Sequence, residues 1–415
     1  MVNLTRLCCY RKEEDECDTV LLPRDNEPKS PIDRPSLHTQ KLDYLPGLLY
    51  TDNLKQKELG SQGLVTSPDG SYSYNHATSV PPSYYLNDHG FPYEINMDRG
   101  GVVTKPDGSH AAAIADGLGG HTFFSAFVAH MICDFFLRTF AEKSMDFTEN
   151  SEANKELAQA LFVECALELQ QALPSTLHGA STALFAECVP IGARMYRLQA
   201  IALGDGAVFH INSKTQEVTQ LNTISRSLDK EGKPDITSTG GCIYSDAHIE
   251  GKKNIIASTA EISEDDYVLL VTDGFLDNVR DGKVKEMIQL VAFQPFFDLP
   301  FDKLVNHAPF RSGQLPTIDS INWCITLTTA IRSSYPLPTA EQVTKRLANY
   351  TKLVTYVRAQ AEERYYVRQP KKQMITTMQQ SDTKSEPDAE PAYPSNEPKT
   401  DDYMIITMSP ARKHV

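Results

Sequence analysis

The stretch Ala111-Ala112-Ala113-Ile114-Ala115-Asp116-Gly117-Leu118-Gly119-Gly120-His121 joins an apolar run to a carboxylate, three glycines and a histidine. The apolar run predicts a buried strand, and the carboxylate stands where that strand ends. Glycines let the backbone turn sharply and approach a bound group closely. Spacing of three and four in the residues that follow predicts a helix, whose N-terminus favours anions. The stretch therefore predicts a ligand site at the end of a strand.

Carboxylates stand in the same context at three later positions. Asp205-Gly206 and Asp273-Gly274 each follow an apolar, strand-like run, and Asp319 opens the apolar run 321–328. Any one Asp-Gly pair often marks only a turn, and that alternative stays open for each of them. Several carboxylates that gather at buried strand ends repel one another unless a cation lies between them. Oxygen ligands of this kind suit Mg²⁺ or Mn²⁺, which can activate a water.

His121 is the one histidine of the opening stretch. It titrates near neutral pH, which makes it a candidate proton donor to a leaving group. A helix-capping or solvated histidine is the alternative reading.

These residues resemble the metal-dependent type 2C (PPM) serine/threonine protein phosphatases. Asp116-Gly117-Leu118-Gly119-Gly120-His121 resembles the family motif D-G-x-G-G-H. The resemblance spans roughly residues 90 to 331, and the other landmarks occur in the family's order. They are Asn96-Met97-Asp98, Gly179-Ala180-Ser181-Thr182-Ala183, Leu203-Gly204-Asp205-Gly206, Thr272-Asp273-Gly274-Phe275-Leu276-Asp277 and Asp319-Ser320-Ile321.

The resemblance implies an α+β fold, a four-layer α-β-β-α sandwich of two antiparallel sheets flanked by helices. The residues themselves predict strands, then two helices, then many strands, which favours a layered α+β domain over a regular βαβ repeat. A metal site is implied at one end of the sandwich.

The resemblance also implies the metal ligands. Asp116 would bridge two Mg²⁺ or Mn²⁺ ions, and the carbonyl of Gly117 would bind one of them. Asp273 and Asp319 would bind the other ion. A third, weaker site is implied at two further aspartates, Asp205 and Asp277.

Catalytic roles follow from the same resemblance. Asp98 would hold a metal-bound water, and His121 would act as general acid, so that an activated water attacks the phosphomonoester without a phosphoenzyme. The family arginine that grips the substrate phosphate is replaced here by Tyr93, which can donate one hydrogen bond only. Arg99 is a second candidate, although strand alternation points it away from the face of Asp98.

Two functions are therefore predicted. The first is a Mg²⁺/Mn²⁺-dependent phosphatase whose partner is a phosphoprotein substrate. The alternative is a catalytically weak pseudophosphatase that serves as an interaction module, because the residues around the aspartates depart from the family pattern at Tyr93, Gly206-Ala207 and Ser320. The segment 212–251 corresponds to the variable flap of the family. Its basic residues, Arg226 among them, are interpreted as a solvated loop, with recruitment of phosphorylated substrate as the alternative.

Composition argues against a nucleic-acid-binding protein and against a membrane-spanning one. The 415 residues carry 54 Asp+Glu against 40 Lys+Arg, a formal net charge of −14, which argues against a nucleic-acid partner. Continuous apolar runs of about 18 residues are lacking, so the sequence predicts no transmembrane segment. The eight cysteines form no C-x-x-C pair, which favours free thiols and a cytoplasmic protein. A bacterial protein delivered to the host cytosol is a further alternative.

Four parts of the chain are predicted. Residues 1–90 are an irregular N-terminal extension, and 91–331 form the catalytic domain. Residues 335–369 form a C-terminal helical extension with heptad-like apolar spacing, which packs on the domain or binds a partner. Residues 370–415 are a disordered tail by composition, with a short apolar patch at 403–406.

Overall fold

The structure is a computed structural model that describes residues 63–67, 70–78, 97–105, 107–118, 124–174, 176, 178–224, 226, 238–279, 283–328, 337–368 and 402–410. Its strands, in chain order, are β1 (Gly63–Thr66), β2 (Tyr72–Thr78), β3 (Arg99–Thr104), β4 (His110–Ala115), β5 (Ala180–Ser181), β6 (Ala183–Gly192), β7 (Met195–Leu203), β8 (Ala207–Ile211), β9 (Val218–Gln220), β10 (Cys242–Tyr244), β11 (Ile249–Glu250), β12 (Ile256–Ser263), β13 (Tyr267–Val271) and β14 (Asp402–Met408). Its α-helices are α1 (Phe124–Glu142), α2 (Ser151–Ala172), α3 (Asp273–Leu276), α4 (Val284–Phe293), α5 (Phe301–Val305), α6 (Ala308–Arg311), α7 (Ile318–Thr328) and α8 (Ala340–Arg368).

The strands form two large antiparallel sheets and one small one. A five-stranded sheet has the order β12-β7-β6-β4-β3, and a six-stranded sheet has the order β1-β2-β14-β13-β8-β9. The two sheets meet through an apolar layer that includes Leu184 of the first sheet and Leu270 and Ile406 of the second. The small sheet β11-β10-β5 lies beside the first.

Helices cover the outer face of each large sheet. On the five-stranded sheet, Phe136 of α1 stacks on Phe185 of β6 with 5.6 Å between ring centroids, and Phe162 of α2 meets Phe136 edge-on. On the six-stranded sheet, α4 and α8 pack through Val291 and Leu347. The predicted four-layer α-β-β-α sandwich is confirmed.

Helix α8 is one of these covering helices. Its apolar stripe of Val343, Leu347, Tyr350 and Val354 is buried against the six-stranded sheet and α4. The Tyr350 hydroxyl donates to the carbonyl of Asn278 over 3.0 Å. The stripe is therefore buried inside the chain, which agrees with the interpretation that this helix packs on the domain and disfavours the alternative that the stripe binds a partner.

Three strands, β1, β2 and β14, come from parts of the chain that composition assigned to irregular flanks. β1 and β2 fall within 1–90, and β14 falls within the predicted tail 370–415, yet β14 lies in the six-stranded sheet between β2 and β13. Tyr403 and Ile405 face the helices, whereas Met404 and Ile406 face the other sheet. A strand buried on both faces is apolar throughout, and the surrounding proline and charge concealed so short a run.

The run 321–328, predicted as the last strand of the domain, is part of helix α7. Thr317 and Ser320 cap its start, since the backbone N–H of each donates to the hydroxyl of the other, over 2.8 and 3.2 Å. Ile321 and Cys324, three residues apart, are fully buried on one helix face. The sheet position beside β13 is filled by β14 instead.

Helix α1 alone, within the described part of the chain, is long and apolar enough to cross a membrane. Here it is a core helix, with Ile132, Cys133 and Phe136 buried against the five-stranded sheet and α2. Length and composition alone are weak evidence for a membrane span.

Replacing Ile406 of β14 by alanine tests whether this strand belongs to the core. The side chain is fully buried, so Ile406→Ala is expected to lower the free energy of unfolding by about 2–5 kcal/mol. Ile191→Ala, at a position 41% exposed at the far end of β6, is the matched control and is expected to cost under about 1 kcal/mol. Denaturant unfolding in EDTA measures both, and equal losses would contradict the packing of β14.

Candidate active site

Three aspartates from the two large sheets converge at one end of the sandwich. Asp116 follows β4 and Asp205 follows β7, both in the five-stranded sheet, whereas Asp273 follows β13 of the six-stranded sheet. Each offers a carboxylate oxygen, and these oxygens all lie within 4.8 Å of one another. Asp205 and Asp273 are buried, and Asp116 is half-buried. The sequence predicted all three, and the structure brings them together. We call these three residues the acidic cluster.

The backbone of Asp116 is fixed by the neighbouring chain at 181–182. The Ser181 hydroxyl and the Thr182 N–H donate to the Asp116 carbonyl over 2.7 and 2.9 Å. The Asp116 N–H in turn donates to the Thr182 hydroxyl over 3.1 Å. These contacts explain why the sequence Ser181-Thr182 accompanies the first aspartate, because they set the position of its carboxylate.

The other two members are placed by sharp turns. Gly204, directly before Asp205, has φ +116°, and a Cβ there would lie 2.6 Å from the Thr182 side chain. Asp273 is the first residue of the short helix α3, with Thr272 at the N-cap. Both turns aim a carboxylate from a buried strand end into the cluster.

Asp98 lies beside the cluster and is tied to it through Thr272. The Thr272 hydroxyl donates to Asp98 Oδ2 over 2.7 Å and accepts from the N–H of Met404 over 2.9 Å. The Thr272 N–H donates to the carbonyl of Met404 over 3.2 Å. Thr272 therefore joins the start of β3, the end of β13 and the start of β14 at the site.

Arg226 reaches into the acidic cluster from the segment that follows β9. Its Nη2 donates to Asp205 Oδ2 over 2.8 Å and contacts Asp273 Oδ2 at 3.4 Å. Its Nη1 donates to Asp277 Oδ1 over 2.7 Å, and its Nε contacts Asp205 Oδ2 at 3.2 Å. The side chain is only 7% exposed.

The charge of Arg226 is secured by these carboxylates. Burial acts to lower the pKa of the guanidinium, but Asp277, Asp205 and Asp273 outweigh burial, so that its pKa is raised above the ordinary value. Arg226 is therefore a fixed cation among aspartates that the sequence assigned to metals.

Asp319 and Arg99 are the two predicted site residues that lie elsewhere. Asp319 stands exposed in the first turn of α7, outside the acidic cluster, because the run that follows it is a helix. Arg99 is buried on β3, and its Nη1 donates to the carbonyl of Asp98 over 2.6 Å. The Cys133 thiol of α1 contacts the carbonyl of Arg99 at 3.5 Å, so Arg99 lies against the helix layer. The structure therefore does not bring Asp319 or Arg99 into the acidic cluster.

Two other predicted residues, His121 and Tyr93, lie outside the described residues. Their roles as general acid and as a contact for the substrate phosphate stay predictions. Asp277, predicted for a third metal, contacts Arg226 instead, at the C-terminal end of α3.

Sequence reasoning missed two contributors to the site. Arg226 was interpreted as part of a solvated loop, and nothing local distinguishes an arginine that pairs with carboxylates far along the chain. The start of β14 was also missed, although a signal was present. Asp401-Asp402 directly precedes the apolar run 403–406, which is the same context as at Asp319 in the sequence.

The acidic cluster fits a hard divalent cation. Its donors are all carboxylate oxygens, which Mg²⁺ and Mn²⁺ prefer, and they stand close enough to share one ion. A guanidinium already fills the role of a cation there, so the carboxylates accept positive charge at this point.

One family model matches more than half of the chain. The sequence model of the family described as Protein phosphatase 2C matches residues 93–308. Among solved structures, the chain is similar to the serine/threonine phosphatase Stp1 from Staphylococcus aureus, with 13% identity over 85% of this chain and 97% of that one, at a TM-score of 0.38. It is also similar to the photosystem II phosphatase PBCP, with 15% identity over 84% of this chain and 96% of that one, at a TM-score of 0.40. A third similar structure is the catalytic domain of the serine/threonine protein phosphatase PstP in complex with two manganese ions. It has 13% identity over 81% of this chain and 96% of that one, at a TM-score of 0.40. No protein of curated function matches at a significant level.

Gly117 is packed too closely at the site to accept a side chain. It bridges to Ser181, and a Cβ would lie 2.8–2.9 Å from backbone atoms of Met97 and Ser125. Gly117→Ala is expected to lower the free energy of unfolding by about 1–3 kcal/mol, because the two backbones must separate. Gly192→Ala, where the added methyl meets nothing within 4 Å, is the control and is expected to change it by under about 0.5 kcal/mol. Thermal and denaturant unfolding measure both, and an undisturbed Gly117→Ala would contradict this packing.

Proposed function

Since the chain belongs to the protein phosphatase 2C family, we propose that it hydrolyses phosphoserine and phosphothreonine in proteins with the help of Mg²⁺ or Mn²⁺. A protein phosphatase is the enzyme class that the family establishes. The metal dependence and the chemistry are the proposal, and the convergence of Asp116, Asp205 and Asp273 carries it.

The chain's own residues would hold and orient the reacting groups. Asp116, Asp205 and Asp273 would hold the ions, of which we propose two, with a third near Asp277. Bound ions would lower the pKa of an attacking water and neutralise the phosphoryl oxygens for an in-line displacement. Because β4, β7 and β13 belong to two packed sheets, the separation of the carboxylates is fixed before substrate arrives.

Protons and water would be handled by residues beside the ions. Asp98, oriented by the Thr272 hydroxyl, would accept a hydrogen bond from a water at the site. His121 is proposed as the general acid that protonates the leaving serine or threonine oxygen. The substrate is a phosphoprotein. A cytoplasmic location is proposed as well, and it is supported by the free cysteines of the described residues, all of them buried.

A further ligand is proposed at the start of β14. With Asp319 on α7, the strand beside β13 is β14, whose Met404 bonds Thr272 two residues after the strand starts at Asp402. The pair Asp401-Asp402 precedes the buried part of this strand. We propose that this pair supplies the carboxylate that the sequence assigned to Asp319.

The alternative function, a pseudophosphatase that binds partners, is favoured by one observation. Arg226 already neutralises part of the charge at Asp205, Asp273 and Asp277 without any metal. If the wild-type chain bound no Mn²⁺ at millimolar concentration in a calorimetric titration, this alternative would be the better account.

Turnover of a phosphothreonine peptide in millimolar Mn²⁺ tests the proposed reaction. We expect hydrolysis that EDTA abolishes. Asp273→Asn is expected to lower kcat/KM by at least about 100-fold, because it removes charge that holds the ions. Asp302→Asn, exposed on α5, is the control and should retain the wild-type rate. Equal rates in wild type and Asp273→Asn would rule the mechanism out.

The proposed ligand at β14 is tested by Mn²⁺ titration of two asparagine variants. The double variant Asp401→Asn/Asp402→Asn is expected to weaken Mn²⁺ binding about 10- to 100-fold, whereas Asp319→Asn should leave it unchanged. The two single variants then assign the ligand. The reverse pattern, with loss only in Asp319→Asn, would contradict the placement of α7 and β14.

A further inference from the structure

Arg226 contacts the same carboxylates that would bind metal. Two of its three partners, Asp205 and Asp273, belong to the acidic cluster, and its Nη2 lies within 3.4 Å of both. A single oxygen, Asp205 Oδ2, accepts hydrogen bonds from both Nη2 and Nε of Arg226, over 2.8 and 3.2 Å. The guanidinium therefore contacts two of the three carboxylates that an ion at the cluster would need.

The guanidinium and a metal ion would repel each other at this site. Asp116, Asp205, Asp273 and Asp277 carry four negative charges when ionised, and Arg226 supplies one positive charge. A divalent cation at the cluster would lie within a few ångströms of the guanidinium, and like charges at such distance in a buried site repel. Metal is therefore held more weakly at Asp205 and Asp273 while these hydrogen bonds are made.

The contacts of Arg226 also stabilise the fold when no metal is bound. Asp205 and Asp273 are buried, and buried carboxylates without a nearby cation are strongly unfavourable. The guanidinium of Arg226 offsets this cost, since Nη1 donates to Asp277 and both Nη2 and Nε donate to Asp205. The same arginine therefore stabilises the chain without metal and opposes loading of metal.

We propose that Arg226 is an internal counter-ion that competes with divalent metal for Asp205 and Asp273, so that the free metal concentration sets the fraction of active enzyme. This rests on the metal site of the proposed function and goes beyond it. The apparent affinity for metal is reduced by the fraction of molecules in which the arginine is withdrawn. If the contact is made in about nine of ten metal-free molecules, its removal tightens the apparent Kd about tenfold.

Arg226→Gln tests the competition by two readouts that do not use activity. Calorimetric titration with Mn²⁺ is expected to give a Kd about tenfold lower than wild type. In EDTA, the midpoint of thermal unfolding is expected to fall, and Mn²⁺ is expected to raise it by more than in wild type. Arg226→Lys, which keeps the charge without the fork, should lie between the two, and it serves if Arg226→Gln does not fold without metal.

Arg346→Gln is the matched control. Arg346 is also buried and pairs with one carboxylate, Asp298, over 2.9 and 2.6 Å, but it contacts no member of the acidic cluster. It should lower the unfolding midpoint in EDTA and leave the Kd for Mn²⁺ unchanged. Arg194→Gln, on the surface, is a second control that disturbs the fold less.

The outcomes separate this inference from the proposed function. Wild type that binds Mn²⁺ while Arg226→Gln binds it equally or more weakly would overturn the competition and leave the metal-dependent phosphatase intact. Absence of Mn²⁺ binding in wild type and in Arg226→Gln alike would overturn both. Binding in Arg226→Gln but not in wild type would support the competition in its strongest form.

Discussion

The constraint on which this structure depends is that carboxylates at buried strand ends need positive charge. Asp116, Asp205 and Asp273 project from strands whose other residues form the packed interior, so the chain cannot turn them toward bulk water without unpacking the sheets. A cation is therefore needed to neutralise their charge. The metal ions proposed above and the guanidinium of Arg226 would each meet this requirement.

The site also holds the layers together. Thr272 bonds Asp98 with its hydroxyl and Met404 with its backbone, so that one corner joins the five-stranded sheet to two strands of the other sheet. Any movement that separates the sheets therefore also separates Asp116 and Asp205 from Asp273. A rigid scaffold of this kind suits a reaction whose catalysis is mostly positioning and electrostatics.

The sequence predicted the fold class and the acidic cluster because both depend on local patterns. Asp116 and Asp273 each follow an apolar run and precede glycine, and that context is visible in a few residues. The strand predicted after Asp319 was wrong because an eight-residue apolar run fits a helix as well as a strand, and only the competition with β14 decides. The run 403–406 was too short to stand out from its polar surroundings. Arg226 pairs with residues 21 to 51 positions away, which no local pattern reports.

The place of β14 has a consequence for how the protein is made. β13 ends at Val271 and its neighbour β14 begins at Asp402, which is 131 positions later in the chain. While the ribosome adds those residues, β2 and β13 each lack the strand that will lie between them, and their backbone edges stay open to other chains. The interior of the six-stranded sheet thus closes only once β14 has been made. A transcript cut short before β14 would leave both edges open and yield a product prone to aggregate.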